Sequence, residues 1–202
     1  MELNELLARR RMVRSFDGTA VDLDWLDERC REALWAPTAG NSAGVRLHTV
    51  RRELVGAYLD VATDERWRTM SSSFEGLSRA GAVVLVTCRL QDYLDRYGES
   101  DKVKSGLNER SAWKIPYWYT DAAMATMALL LLIEEGGWQA TLWGNFRYDD
   151  AVLEWANIND EELVATVLLG RADGHDVAST SLSRSVLSRT DRVRRVESRP
   201  SF

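Results

Sequence analysis

Apolar positions along this chain follow two spacings, and each change of spacing marks an element. Residues 3–9 and 22–35 repeat with the period of a helix, the second opened by Asp22 as a side-chain cap and closed before Pro37. Residues 45–50 read as a strand and 52–62 as a helix. Residues 82–88 form a continuous, β-branched apolar run of strand length, the pattern of a strand covered on both faces. From Arg89 to Ser111 the chain turns polar, with a turn or two of helix near residues 92–97 and loop character elsewhere.

The longest helix is expected over residues 120–135, with the Thr120 hydroxyl as its cap, Asp121 in its first turn and Gly136-Gly137 as its stop. Its middle, residues 122–133, is apolar on every face. Such a helix has to be surrounded, and in a chain of 202 residues a second copy is the economical way to surround it, so a homodimer is expected. Residues 138–143 then read as a strand, 149–156 as a helix and 163–169 as a second buried strand closed by Gly170. Past about His175 the periodicity fades, and from Leu182 onward six arginines face two acids. That composition suits a disordered tail or an arm that docks elsewhere. No internal repeat is evident.

Composition narrows the picture. A chain with 45% hydrophobic residues buries a substantial core and fits one domain better than two. No signal-peptide pattern opens it and its longest apolar run is too short to span a bilayer, so a soluble, cytoplasmic protein without membrane contact is expected. Cys30 and Cys88 lack metal-ligand spacing and read as reduced, buried small hydrophobes. With His48 and His175 the only histidines, no metal site is expected.

Against a net charge of -5, four arginines (Arg9, Arg10, Arg11 and Arg14) fall within six residues. Like charges so close repel one another unless something of opposite sign compensates them, which suggests a fixed anion site. A solvated helix end or a nucleic-acid-binding arm would also account for them. Two further segments favour the first reading. Arg10-Arg11-Met12-Val13-Arg14-Ser15-Phe16 resembles the Arg-Arg-Ser-x-Arg-x-Phe that opens the nitroreductase family of flavin-dependent oxidoreductases, with Met12 in place of the serine. Ala36-Pro37-Thr38-Ala39-Gly40-Asn41-Ser42 is similar to that family's Ala-Pro-Ser-x-x-Asn-Ser, and Leu142-Trp143-Gly144-Asn145-Phe146 stands where the family has a strand and glycine turn beside its flavin. Residues 93–102 and 113–121 also look like an actinobacterial subgroup of the family.

The resemblance implies an α+β fold, a mainly antiparallel sheet flanked by helices in an intertwined homodimer, with residues 1–175 as an FMN-binding domain and 176–202 as its C-terminal arm. It implies that Arg10 and Arg11 hold the FMN phosphate, a role suited to guanidinium forks, with Arg184 of the arm completing the site. Val186 stands where a second basic residue is usual. Met12, Leu142, Trp143, Gly144 and Asn145 would border the flavin, the last two through backbone amides near N5, where glycine permits close approach. Arg14 would lie at the N1 and O2 edge, where a cation favours the reduced state. Pro37, Thr38, Ala39 and Asn41 would reach the flavin across the dimer interface, although Ala43-Gly44-Val45 replaces the family's Gln-Pro-Trp. Tyr117, Trp118 and Tyr119 are candidates for the substrate face, as are Trp35 and Trp143, against the plainer reading of core aromatics.

Hydride transfer at flavin N5 requires no catalytic side chain, because the cofactor carries the chemistry. The implied activity is transfer of hydride from NADPH or NADH, through FMN, to a small organic acceptor such as a nitroaromatic or quinone. A non-catalytic flavin-binding or flavin-sensing protein of the same fold is the alternative, encouraged by Met12, Ala43 to Val45 and Val186. Gly40-Asn41-Ser42-Ala43-Gly44 also satisfies the G-x-S-x-G pattern of a hydrolase elbow, but Ser42 follows a helix and precedes a strand, the reverse of what an elbow needs.

Overall fold

A computed structural model describes residues 2–144, 147–176, 179 and 183–195. Four strands form one antiparallel sheet in the order β1-β2-β4-β3, where β1 is Val45–Arg51, β2 Ala82–Cys88, β3 Gln139–Trp143 and β4 Glu162–Gly170. The expected α+β class and antiparallel sheet are both present. Every residue of β2 is buried, as its apolar run predicts. Its backbone groups are satisfied on one side by β1, with His48 opposite Leu85, and on the other by β4, with Val84 opposite Val167.

Alternating side chains of β2 feed two cores. On one face Ala82, Val84 and Val86 pack with Leu26, Cys30 and Ala33 of α2 (Leu23–Ala33) and with Ala122, Ala125, Leu129 and Ile133 of α7 (Tyr117–Glu135). On the other, Val83 and Leu85 meet Val55, Tyr58 and Leu59 of α3 (Val55–Ala62), Leu77 of α5 (Phe74–Ser78) and Val152 of α8 (Asp149–Trp155). Burial pushes the Cys30 and Cys88 thiols up to about 12, which keeps them protonated and suits their placement as small core residues.

Several boundaries differ from expectation. Asp22 caps α2 by accepting from the amides of Asp24 and Trp25, but that helix ends at Ala33 rather than Trp35. The turn or two expected at 92–97 is a nine-residue helix, α6 (Leu90–Gly98). Helix α7 starts at Tyr117, and the Thr120 hydroxyl, expected to cap it, donates instead to Tyr117 O inside the helix. The cause is tertiary: Pro116 supplies the turn-in, and Trp118, packed edge-on against Tyr93 and Trp113, draws a further turn into the helix. Two short helices were not foreseen, α4 (Glu65–Met70) and α5, because the few apolar residues of this polar stretch show no periodicity; Trp67 and Phe74, in an edge-on contact at 6.1 Å, and the buried Leu77 anchor it.

Helix α1 (Leu3–Arg9) is tied to α7 by Arg9, whose Nε lies 2.9 Å from the carboxylate of the buried Glu134. The face of α7 turned away from the sheet stays partly uncovered within one chain, leaving Met124 and Met127 exposed. No helix among the described residues is long and apolar enough to cross a membrane. Among the same residues no group of three or more His, Cys, Asp or Glu could hold a metal ion.

After β4 the chain turns back along the arginine segment. Asp17 N donates to Arg171 O at 2.9 Å, Phe16 bridges Ala172, and Arg14 N donates to Asp176 Oδ1 at 2.7 Å. Asp173 fastens this strap through Ser15 Oγ and Arg79 Nη2, each at 2.8 Å. Residues 183–195 of the expected arm are exposed; residues 177, 178, 180–182 and 196–202 lie outside the described residues.

The amide of His175, then Ser15 and Arg79, hold the Asp173 carboxyl below its ordinary value of 3.8 against an opposing effect of burial. Its contribution to stability is therefore full above that value and is lost as the pH falls through the depressed one. In thermal unfolding, Asp173→Asn should be less stable than the parent at neutral pH, and the gap should narrow as the pH falls below the ordinary value of 3.8. A gap independent of pH would show that the strap does not depend on the charge.

Candidate functional site

As α1 ends, Arg10 caps its C-terminus, and the chain runs along the outer edge of β3. Val13 N donates to Ala140 O at 3.1 Å and Met12 bridges Ala140, so the segment acts as a short parallel edge to the sheet. The Met12 thioether accepts from Leu142 N at 3.3 Å, a sulfur bond that occupies the next free amide of β3.

The clustered arginines have separate partners. Arg9 is held by Glu134. Arg11 folds back, its Nη1 donating to Ala8 O at 2.5 Å and Arg10 O at 3.0 Å, where a cation suits the negative end of α1. Arg14 Nη1 reaches Met12 O at 3.4 Å. Arg10 has none of this: its Nε and Nη1 are buried and make no hydrogen bond. Each buried charged donor left unpaired costs about 1–3 kcal/mol or more, so the site fits an external anion. A phosphate, acceptor-only and matched to the guanidinium fork, meets that need.

At the far end of β3, Trp143 stacks on Trp67 with ring centroids 5.4 Å apart and sits edge-on to Tyr58 at 6.3 Å. Gly144 opens beside these rings onto a cavity of about 330 Å³ lined by Thr63, Asp64, Trp67, Arg147 and Tyr148. Asp64 caps α4 by accepting from Trp67 N at 2.7 Å and also from Tyr148 OH at 2.9 Å; these bonds lower its carboxyl and raise the phenol. Sequence reasoning missed Asp64, Trp67, Arg147 and Tyr148, although an Asp ahead of a Trp-containing turn is a cap signal. Asn145, with Phe146, lies outside the described residues. A larger cavity, about 640 Å³, opens between α2, β1 and α8 beside His48 and holds none of the expected site residues.

The second segment forms a tight loop. Gly40, Asn41 and Ala43 all take left-handed backbone angles, with φ of 62°, 58° and 51°. For a residue other than glycine this costs roughly 1–2 kcal/mol, less for asparagine. Offsetting bonds surround it: Ala43 N to Thr38 Oγ1 at 3.1 Å, Ala39 N to Asp121 Oδ2 at 2.8 Å, and Arg96 Nε to Gly40 O at 2.8 Å. Ser42 Oγ donates to Ala39 O at 2.5 Å, so its hydroxyl serves the turn, and the segment is not a nucleophile elbow. Among the described residues no hydrogen bond joins residues 37–44 to the arginine segment or β3. The chain thus brings the first and third segments together and holds the second elsewhere, at the start of α7.

Of the aromatic candidates, Trp118 is 2% exposed and lies in a core with Tyr93 and Trp113, while Tyr117 is exposed. Tyr119 OH donates to Glu162, and burial followed by that bond raises its phenol. Trp35 is exposed at the end of α2. Arg184 is exposed and makes no hydrogen bond or ion pair among the described residues.

The strain at Ala43 can be measured. Ala43→Gly removes the left-handed penalty of about 1–2 kcal/mol and adds about 0.4–1 kcal/mol of unfolded-chain entropy. A net stabilisation of about 0–1.6 kcal/mol is expected in denaturant unfolding; a destabilised variant would show that this backbone is not strained.

The chain was compared with known proteins. No curated protein matches it. Among solved structures, a protein of Exiguobacterium sibiricum assigned as a nitroreductase and crystallised in complex with FMN superposes with a TM-score of 0.72 at 17% identity, covering 97% of this chain and 98% of that one. A nitroreductase family protein of Streptococcus pneumoniae gives 0.70 at 18% identity, over 96% and 100% of the two chains. A protein of Staphylococcus epidermidis assigned as an NAD(P)H:FMN oxidoreductase gives 0.68 at 17% identity, over 96% and 95%. At such identities these likenesses establish the fold. The model of the nitroreductase family matches residues 7–171, which takes in both the arginine segment and the end of β3, and the chain belongs to that family.

Proposed function

We propose that this protein is an FMN-dependent oxidoreductase that takes a hydride from NADPH or NADH and passes electrons to a small organic acceptor of nitroaromatic or quinone type, working as a homodimer. The observation that carries the reading is the Arg10 guanidinium, whose Nε and Nη1 are buried without an acceptor beside the one sheet edge to which the arginine segment is bonded. FMN in the Exiguobacterium relative and the name of the Staphylococcus relative agree with it.

In this reading Arg10 grips the phosphate, with Arg11 from the end of α1 and Arg184 from the 176–202 arm as its companions. Met12 and Leu142 to Asn145 border the ring, and Arg14 faces its N1 and O2 edge. Pro37, Thr38, Ala39 and Asn41 come from the partner subunit, which explains why one chain keeps that loop apart from its own arginines. The uncovered stripe of α7 around Met124 and Met127 is the surface the partner would bury. Tyr117 offers an exposed ring to an acceptor, with Trp118 and Tyr119 supporting it from the core side. Bound FMN would accept and return the hydride at N5, and the chain's own work is to bind, orient and set the electrostatics.

The purified protein should be a dimer that carries FMN or takes it up stoichiometrically, and anaerobic NADPH or NADH should bleach its visible absorption. A monomer that leaves FMN fluorescence unquenched would refute the reading. Binding without reduction by either nicotinamide would instead favour the non-catalytic flavin protein.

The two arginines separate the roles. A hydrogen bond to a charged group is worth about 1.5–3 kcal/mol, and about 30 mV corresponds to 1.4 kcal/mol for a two-electron couple. Arg14→Gln should therefore lower the flavin midpoint potential by about 30–60 mV. Arg10→Gln should weaken FMN binding and leave the potential of the bound fraction nearly unchanged. Spectroelectrochemical titration of both variants decides the matter, and equal shifts in the two would show the assignment to be wrong.

A further inference from the structure

Helix α7 contains one carboxylate in its first two turns, and it is almost fully buried: Asp121 is 1% exposed. A carboxylate in such a place is stable only when hydrogen bonds replace its water. Asp121 Oδ2 accepts two, from Ala39 N at 2.8 Å and from Tyr93 OH at 2.9 Å. The first crosses from α7 to the strained loop, and the second recruits α6.

Helix α6 grips the same loop at three more points. Arg96 Nε holds Gly40 O and is itself fixed by two bonds to Asp101, at 2.7 and 2.8 Å. The Tyr97 ring lies so near Gly40 that an added Cβ would stand 2.9 Å from it, and the Tyr93 ring so near Gly44 that the distance would be 2.3 Å. The loop is thus pinned by Asp121 of α7 and by Tyr93, Arg96 and Tyr97 of α6. Left-handed angles at Asn41 and Ala43 persist only where their surroundings over-determine them.

We infer that Asp121, oriented by Tyr93, is a positioning residue that clamps the Thr38 to Ala43 loop in the conformation it presents to the cofactor. The link to the cofactor rests on the flavin reading above; the clamp itself does not. Removing the carboxylate leaves Ala39 N–H without its acceptor and frees the left-handed residues to relax. Asparagine, whose carbonyl oxygen can take the place of Oδ2, keeps both acceptor contacts.

The test uses full-length Asp121→Ala, Asp121→Asn and Tyr93→Phe, with Val84→Ala as a control that weakens the buried centre of β2 without touching the loop. FMN affinity is read by fluorescence quenching and ring placement by visible circular dichroism of the bound flavin. Asp121→Ala should bind FMN about tenfold more weakly or worse, with an altered flavin spectrum. Asp121→Asn should recover most of both, and Tyr93→Phe should lose about threefold. Val84→Ala should lower the thermal midpoint and leave affinity and spectrum unchanged.

Parent-like affinity and spectrum in both Asp121→Ala and Tyr93→Phe would overturn the inference, as would an equal loss in Val84→Ala. Should Asp121→Ala fail to fold, Tyr93→Phe alone decides by the same criterion. Should the parent itself not bind FMN, the flavin reading fails, and hydrogen exchange in the cofactor-free protein judges the clamp. Exchange at Ala39 to Gly44 must then rise relative to β2 in Tyr93→Phe, and an unchanged ratio would overturn it.

Discussion

A strand with no exposed residue imposes strict conditions on everything around it. Every backbone group of β2 needs a partner and both of its faces need cover, since neither can be left to water. Strands β1 and β4 meet the first condition, and the helices on either side meet the second. Once β4 lies against β2, its other edge takes β3, which puts the outer edge of β3 at the rim of the sheet. That rim is where Met12 and Val13 dock, so the position of the arginines follows from the burial of a strand far from them in sequence.

The arginine cluster then resolves into a distribution of charge. Arg9 goes to Glu134, Arg11 to the end of its own helix and Arg14 to the carbonyl of Met12. Each takes a partner of its own, which disperses the repulsion that their closeness in sequence would cause. Arg10 is left with two buried donors, Nε and Nη1, unused. Buried guanidinium donors without an acceptor are costly, and an external anion is the kind of group that would complete them.

A second region follows the opposite logic. The loop from Thr38 to Ala43 has no charge to neutralise; it has an unfavourable backbone to maintain. Two helices hold it there through a buried carboxylate, a guanidinium and two aromatic rings set against glycines. Rigid support of this kind is what a binding surface made of backbone needs, because peptide groups have no side-chain freedom with which to correct a misplaced contact.

Much of the architecture could be read from local pattern. Strand β2 matches its apolar run at both ends, β4 extends one residue beyond the expected strand at each end and β3 starts one residue later than expected, because apolar, β-branched runs of strand length between turn residues are a strong local signal. The order and spacing of three short motifs were enough to indicate the family. Local pattern failed where packing outweighs propensity. Trp118 lengthens α7 by docking on aromatics from α6 and the following loop, and α4 and α5 form around two rings that carry no periodic signal.

The candidate site divides along the same line. The sequence by itself determined which residue types are present and that four like charges must find compensation. It could not determine which arginine would remain unpaired, because that depends on where Glu134 lies, 125 positions from Arg9 along the chain and 2.9 Å away in space. Nor could it show Asp121 as anything but a favourable charge at a helix start, since the amide it accepts from lies 82 residues earlier. Hydrogen bonds and ion pairs act over a few ångströms, and only the folded chain decides which distant groups come within that range.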